Sequence, residues 1–379
     1  MNVPQTLLHT FVRWLDFVGL TMLIGGVVFR YLIIRSILLP PQGFDSFERR
    51  LRRVLAVSIS LLALTSLGDL ILRTLMMSGG GIADLGPALP VVLRQTHYGA
   101  VWTARISLLG LLAMAWLLGR QDARRVPFSA GFSLFAATLV ALTTSLSGHA
   151  ADWGDFTLPV LIDWLHLLAA STWVGGLFTL GFVLHHSFSP SGEETQTPSL
   201  ASIVARFSRM AACCVAVFLP AGLYNAWLQV TSLSPLITTS YGWALLAKLS
   251  LVGLVLMTAA VNRYYFLPLL ESPCGTHDRL LFRIIGRLAS ARRERREPGD
   301  DETIRHRFFR VVRLEWIMVA AALACSALLT QLPPARHIRR HEHRERHAVH
   351  QPGQSAAIEM RAGGKVISKM ALDSPRDPP

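Results

Sequence analysis

The chain has 379 residues, of which 51% are hydrophobic and only 16% charged, and it carries a net charge of +13. Soluble domains hold roughly a quarter charged residues, so this composition excludes an ordinary cytosolic enzyme. The mean hydropathy of +0.41, with basic residues set between long apolar runs, points to an integral membrane protein.

A helix crossing hydrocarbon needs about 20 mostly apolar residues, because lipid offers no partner to an open backbone N–H or C=O. Eight segments qualify in chain order: 7–38, 54–77, 99–119, 127–148, 158–186, 201–228, 241–267 and 311–332. The expected fold is therefore an all-α integral membrane protein with eight transmembrane helices. The start, MNVPQTLLHTFVRWLDF, lacks the basic opening and small-residue cleavage site of a secretory signal. Cys213, Cys214, Cys274 and Cys325 form no disulfide framework.

Loop charge predicts orientation. The connections after spans 1, 3, 5 and 7 carry Arg49, Arg50, Arg52 and Arg53; Arg120, Arg124 and Arg125; Arg206 and Arg209; and Arg292, Arg293, Arg295 and Arg296. The connections after spans 2, 4 and 6 contain only Arg94. The positive-inside rule places the odd connections in the cytoplasm and both termini outside. The tail residues Arg336, Arg339, Arg340, Arg344 and Arg346 run against this and are outvoted by the connections.

The chain repeats itself. YGAVWTARISLLGL (98–111) aligns without a gap on YGWALLAKLSLVGL (241–254), with Arg105 matched by Lys248. RWLDFVGLTMLIGG (13–26) lies against DWLHLLAASTWVGG (163–176) at an offset of 150. Each half then holds four spans, and an even number preserves orientation, so two parallel four-helix repeats are expected. The predicted organisation is a first repeat over 1–148, a second over 149–334 and a His/Arg-rich, disordered tail over 335–379.

At the matched position the halves differ: Asp16 in the first, His166 in the second, with Arg13 against Asp163. Residues three apart share a helix face. Arg13 and Asp16 are expected to neutralise each other, whereas Asp163 is expected to accept a proton from one nitrogen of His166 and leave the other open to a metal.

The second half resembles the copper resistance D (CopD) family of bacterial copper-transport membrane proteins. The resemblance rests on DWLHLLAASTWVGGLF (163–178), RFSRMA (206–211), YGWALLAKLSLVGLVLMTAAVNR (241–263) and RVVRLEWIMVAAALACSALLTQLPP (310–334). It departs in span 6, where Pro220-Ala221-Gly222 stands in place of a Thr-Gly step. The resemblance implies copper ion, as Cu(I) or Cu(II), bound or transported at the inner membrane, with a separate periplasmic copper-binding protein of the CopC type as partner. A soluble copper-binding β-domain is not expected within this chain.

For the metal, the preferred ligands are His149 and His166, supported by Asp163, with His9 or His97 third; all are expected near the outer face, where imidazole suits copper. A lone histidine in a span also serves as a hydrogen-bonding core residue, and His9 and His97 read equally as interfacial residues. Met22, Met210, Cys214 and Met257 could relay Cu(I) further in, although Met and Cys are also ordinary packing. Arg105 and Lys248 are expected as counter-charges to Asp16, Asp69 or Asp163, and Arg263 and Glu315 as an ionic lock between spans 7 and 8. His337, His341, His343, His347 and His350 form a further metal-binding candidate.

Two other functions compete. A haem-bearing electron-transfer protein of cytochrome b type needs axial histidines on facing helices at matched depth; only His166 lies deep, with His149 as its candidate mate, so at most one haem is expected. A copper receptor or scaffold that does not transport is the other. No P-loop, nucleophile elbow or dinucleotide fingerprint is present, so no enzymatic activity is expected. The basic stretch 263–313 suits anionic membrane lipid and not nucleic acid.

Overall fold

A computed structural model describes residues 3–34, 41–79, 81–118, 126–185, 200–230, 234–270 and 300–333. Arg120, Arg124, Arg125, the Arg292–Arg296 cluster, Cys274 and the tail with its five histidines lie outside the described residues. Among the described residues every regular element is helical. The long helices are α1 (Val3–Val28), α2 (Pro41–Ser78), α3 (His97–Leu118), α4 (Val126–Leu146), α5 (Leu158–Phe178), α6 (Leu200–Val230), α7 (Ser240–Val261) and α8 (Asp300–Leu329).

Among the described residues, seven stretches are long and apolar enough to cross a membrane: Pro4–Ile34, Phe44–Ser78, His97–Leu118, Leu158–Leu184, Leu200–Val230, Ser240–Leu270 and Thr303–Leu329. The apolar stretch on α4, Gly131–Leu146, is shorter. The protein is thus an all-helical, multi-pass membrane protein.

Two helices begin well before their apolar runs. The second expected span starts at 54, but α2 starts at Pro41. Its extra turns are held by charge pairing, since Glu48 accepts from Arg30 Nε at 2.8 Å and Arg52 Nε at 3.3 Å. The eighth starts at Asp300 instead of 311, fixed by the buried rings of Phe308 and Phe309. Two short helices, Leu85–Gln95 and Ser234–Thr238, occupy segments read from the sequence as plain connections.

Burial separates inner from outer helices. The most apolar window of α1 is 78% buried and that of α5 is 67%, against 11–33% in the other five membrane-length stretches. α1 packs on α2, α4, α5 and α8, and α5 packs on α4, α6 and α8 as well as α1. The two central helices touch backbone to backbone. A Cβ on Gly175 would run into the Thr21 carbonyl oxygen, and one on Gly25 into the Gly175 backbone. Only glycine permits so close an approach, the usual device where lipid supplies no hydrophobic drive.

Several local features recur along the chain. α1 ends in a π-helical turn, Phe29–Ile34, and α5 in another, Thr179–Leu184. Before α3, Thr96 Oγ1 accepts from Gly99 N at 3.0 Å and donates to the Val92 carbonyl at 2.6 Å. Before α7, Thr239 Oγ1 accepts from Gly242 N at 3.0 Å and donates to the Pro235 carbonyl at 2.6 Å. In both places the glycine presses on the carbonyls of the preceding short helix, where a Cβ would not fit.

Candidate metal site

His166 sits just over two turns into α5, on the face toward α6. Its ring stacks on Phe218, centroids 4.6 Å apart, and Nδ1 lies 3.0 Å from the Phe218 carbonyl oxygen. A carbonyl only accepts, so Nδ1 carries the proton and Nε2 keeps its lone pair, the state a metal-binding imidazole needs. Gly222 makes room for the ring: a Cβ there would stand 2.8 Å from His166 Cε1. The Pro220-Ala221-Gly222 departure does not break α6, which runs through it to Val230.

The expected Asp163–His166 pair is corrected by this geometry. His166 bonds to the α6 backbone, while Asp163 Oδ1 accepts from Asn225 Nδ2 at 3.0 Å. A side-chain amide inside an apolar span, one turn beyond Gly222, was the sequence signal for Asn225 and was passed over.

His149, Asp163 and His166 line one cavity of about 230 Å³. Its wall comes from α5 to α8, the turn His149–Trp153 and the α1 side chains Arg13 and Phe17, and Lys248 and Gln229 also face it. The cavity therefore mixes two imidazoles and a carboxylate with two cations. His149 Nδ1 is 3.8 Å from Asp152 Oδ2. Trp173, 4% exposed, forms part of the cavity wall.

The remaining expected ligands lie elsewhere. His97 Nε2 is 3.0 Å from the Asp155 carboxylate, on the surface. His9 is buried within electrostatic reach of Asp69 and Arg73, in the first half. Among the described residues, no three His, Cys, Asp or Glu side chains converge closely enough to hold an ion. None of Met22, Met210, Cys214 and Met257 lines the cavity. Met257 is 68% exposed, and Met210 and Cys214 pack into the core. The haem alternative gains no support: among the described residues the other histidine on this cavity, His149, sits on a short turn and not on a long helix facing His166.

The first half treats the matching position differently. Arg105 Nη2 meets Asp16 Oδ1 at 2.6 Å, both side chains buried, and Thr65 Oγ1 donates to the same oxygen at 3.0 Å. The guanidinium also donates to Ser66 Oγ at 2.9 Å and Thr144 Oγ1 at 2.6 Å. Arg13, expected as the partner of Asp16, stands further off at 3.9 Å. Asp69 pairs with Arg73 at 3.4 Å and accepts from Tyr98 Oη at 2.7 Å. The space left around this network is about 20 Å³. The expected Arg263–Glu315 lock is absent: Arg263 donates to Ser208, and Glu315 accepts from Asn262.

Comparison with known proteins adds a second line. The model described as copper resistance protein D-like, N-terminal domain, matches residues 4–156, and that described as copper resistance protein D matches 201–329. The run 163–178, part of the resemblance read from the sequence, falls between the two. The copper transport protein CutJ of Bacillus subtilis (strain 168) is 30% identical over 259 residues, 66% of this chain and 45% of its own length. Copper resistance protein D of Pseudomonas syringae pv. tomato is 27% identical over 267 residues, 69% of this chain and 82% of its own. The inner membrane protein YebZ of Escherichia coli (strain K12) is 24% identical over 264 residues, 68% of this chain and 77% of its own. This chain thus spans less than half the length of CutJ. No solved structure matches at a significant level.

Proposed function

This chain belongs to the copper resistance protein D family, and from that premise we propose that it carries copper ion through the bacterial inner membrane, receiving it from the periplasmic side in the cavity lined by His149, Asp163 and His166. One observation carries the reading: the matched positions of the two halves hold opposite things. Around Asp16 a guanidinium fills the space and leaves about 20 Å³, while around His166 about 230 Å³ stays open. The first half serves as scaffold and the second as the working half.

The chemistry follows from the lining. His166 offers Nε2 to the ion because the Phe218 carbonyl holds the proton on Nδ1. Asp163 supplies negative charge, and His149 a second imidazole nearer the mouth. Lys248 and Arg13 repel a cation in the same space. Such a mixed wall binds the cargo loosely, and transit requires a site weak enough to release. Trp173 lies on the inward path and has to move for the ion to pass.

The architecture we propose has eight crossings, α4 included, in two parallel four-helix repeats over 1–148 and 149–334. The doubled π-turns and the doubled Thr-cap before α3 and α7 support it. Arginine clusters on the odd connections support cytoplasmic loops there and both termini in the periplasm. A soluble periplasmic copper-binding protein of the CopC type is the proposed donor, and anionic lipid the partner of the basic connections.

Radiolabelled copper uptake into proteoliposomes tests the transport reading. Time-dependent accumulation above protein-free vesicles is expected; copper that stays bound to the protein without entering the lumen would mark a receptor or scaffold instead.

A further inference from the structure

A second cavity, of about 200 Å³, lies beyond Trp173 in the same bundle, and that indole lines both. Its wall includes Phe207 and Ser208 of α6, Asn262, Arg263 and Glu315. Glu315 is 2% exposed, and its Oε1 accepts from Asn262 Nδ2 at 2.8 Å. No described cation lies within ion-pairing distance of it, since Arg263 is spent on the Ser208 carbonyl and hydroxyl at 2.9 and 3.0 Å. Asn262 is 9% exposed, and its Oδ1 is enclosed without a hydrogen-bond donor. It stands at the start of a π-helical turn, Asn262–Phe266, a distortion that recurs at functional sites.

Asn262 Oδ1 is thus enclosed without a donor beside a buried carboxylate that no described cation neutralises. An amide carbonyl without a donor is costly to bury, and a buried carboxylate that meets only neutral donors, the Asn262 amide and the Thr258 hydroxyl, costs more. Both costs vanish if a proton or a small hard cation sits between them. Oxygen donors suit such cations and not Cu(I), which prefers sulfur and imidazole. Among the described residues, Arg263, Tyr264 and Glu315 are the charged or titratable side chains on this cavity, and those of the outer cavity, Arg13, His149, Asp163, His166, Tyr241 and Lys248, lie on the other side of Trp173.

We propose that Glu315 and Asn262 form an inner site for a small hard cation, a proton or an alkali ion, separated from the outer cavity by Trp173. This goes beyond the copper reading. If both hold, the inner cation is the counter-charge whose movement balances the cargo's.

Infrared difference spectroscopy on copper-free, full-length protein in lipid vesicles tests it, with pH titrated in choline buffer and again in sodium buffer. A protonated carboxyl band is expected in choline, absent in Glu315→Gln and lost on deprotonation. Displacement of that band by sodium at fixed pH identifies the alkali ion, and indifference to sodium identifies the proton alone. Asn262→Ala keeps the carboxyl and should move the titration midpoint by about one pH unit, a tenfold change in affinity. A carboxylate that stays ionised throughout in choline, or an Asn262→Ala titration that matches wild type, overturns the site. Neither result depends on copper.

Discussion

Trp14 and Trp164 hold matched places in the two halves of the sequence, and each donates its indole N–H into a helix of the other half. Trp14 Nε1 reaches the Ala320 carbonyl on α8 at 2.9 Å, and Trp164 Nε1 reaches the Thr138 carbonyl on α4 at 2.8 Å. The exchange ties the first helix of each half to the last helix of the other, on either side of the α1–α5 contact. A buried indole bond contributes about 1 kcal/mol. Trp14→Phe and Trp164→Phe should each lower thermal stability in detergent by about that amount, and the double variant by about the sum, because the two bonds share no partner. A double variant no less stable than either single one contradicts the tie.

The glycine contact predicts a sharper effect. Gly175→Ala puts a methyl into the Thr21 carbonyl, whereas nothing stands within 4 Å of a Cβ on Gly110. Gly175→Ala should cost about 2 kcal/mol or more through forced separation of α1 and α5. Gly110→Ala, mid-helix and open, should be neutral or slightly stabilising. Thermal melts of the two purified variants check this.

The Asp16–Arg105 pair should behave as a buried pair does. Arg105→Ala leaves an enclosed carboxylate beside Thr65 and should cost about 3–5 kcal/mol. Asp16→Leu combined with Arg105→Met should recover most of that loss, because both charges are removed together. Persistent instability of the double variant in the same melts would place the cost in packing and not in charge.

How far the sequence discloses this molecule depends on what each feature needs. Apolar length is a local property, so the membrane-length helices are legible without coordinates. Helix starts at Pro41 and Asp300 are not, because ion pairs and buried rings extend the helices past the apolar runs. Spacing within α5 suggested that Asp163 serves His166. It cannot reveal that the Phe218 carbonyl on another helix is better placed, or that Gly222 clears the ring's path. His9 and His97 share the outer side of the membrane with His166 in the sequence reading, but a shared side carries no lateral position. Asp69 and Asp155, their actual neighbours, belong to other faces.

At the opposite end, His185 lies just past the α5 π-turn. Burial, followed by the charges of Arg313, His306, Arg305 and Arg50, holds its imidazole below the ordinary value. A histidine with a depressed folded pKa contributes stability above its unfolded value, near 6.5, and that stability is lost as pH falls through the window below it. Melting temperature should therefore drop on acidification to a greater extent in wild type than in His185→Phe. Parallel curves for the two proteins would remove His185 from the account.

Copper content of purified variants tests the central claim most directly. His166→Ala, made in protein that still inserts and melts cooperatively, should bind copper at least about tenfold more weakly than wild type. His97→Ala, whose partner is the surface residue Asp155, should match wild type. Wild-type copper affinity in His166→Ala would contradict the assignment of this cavity as the place where the ion is received.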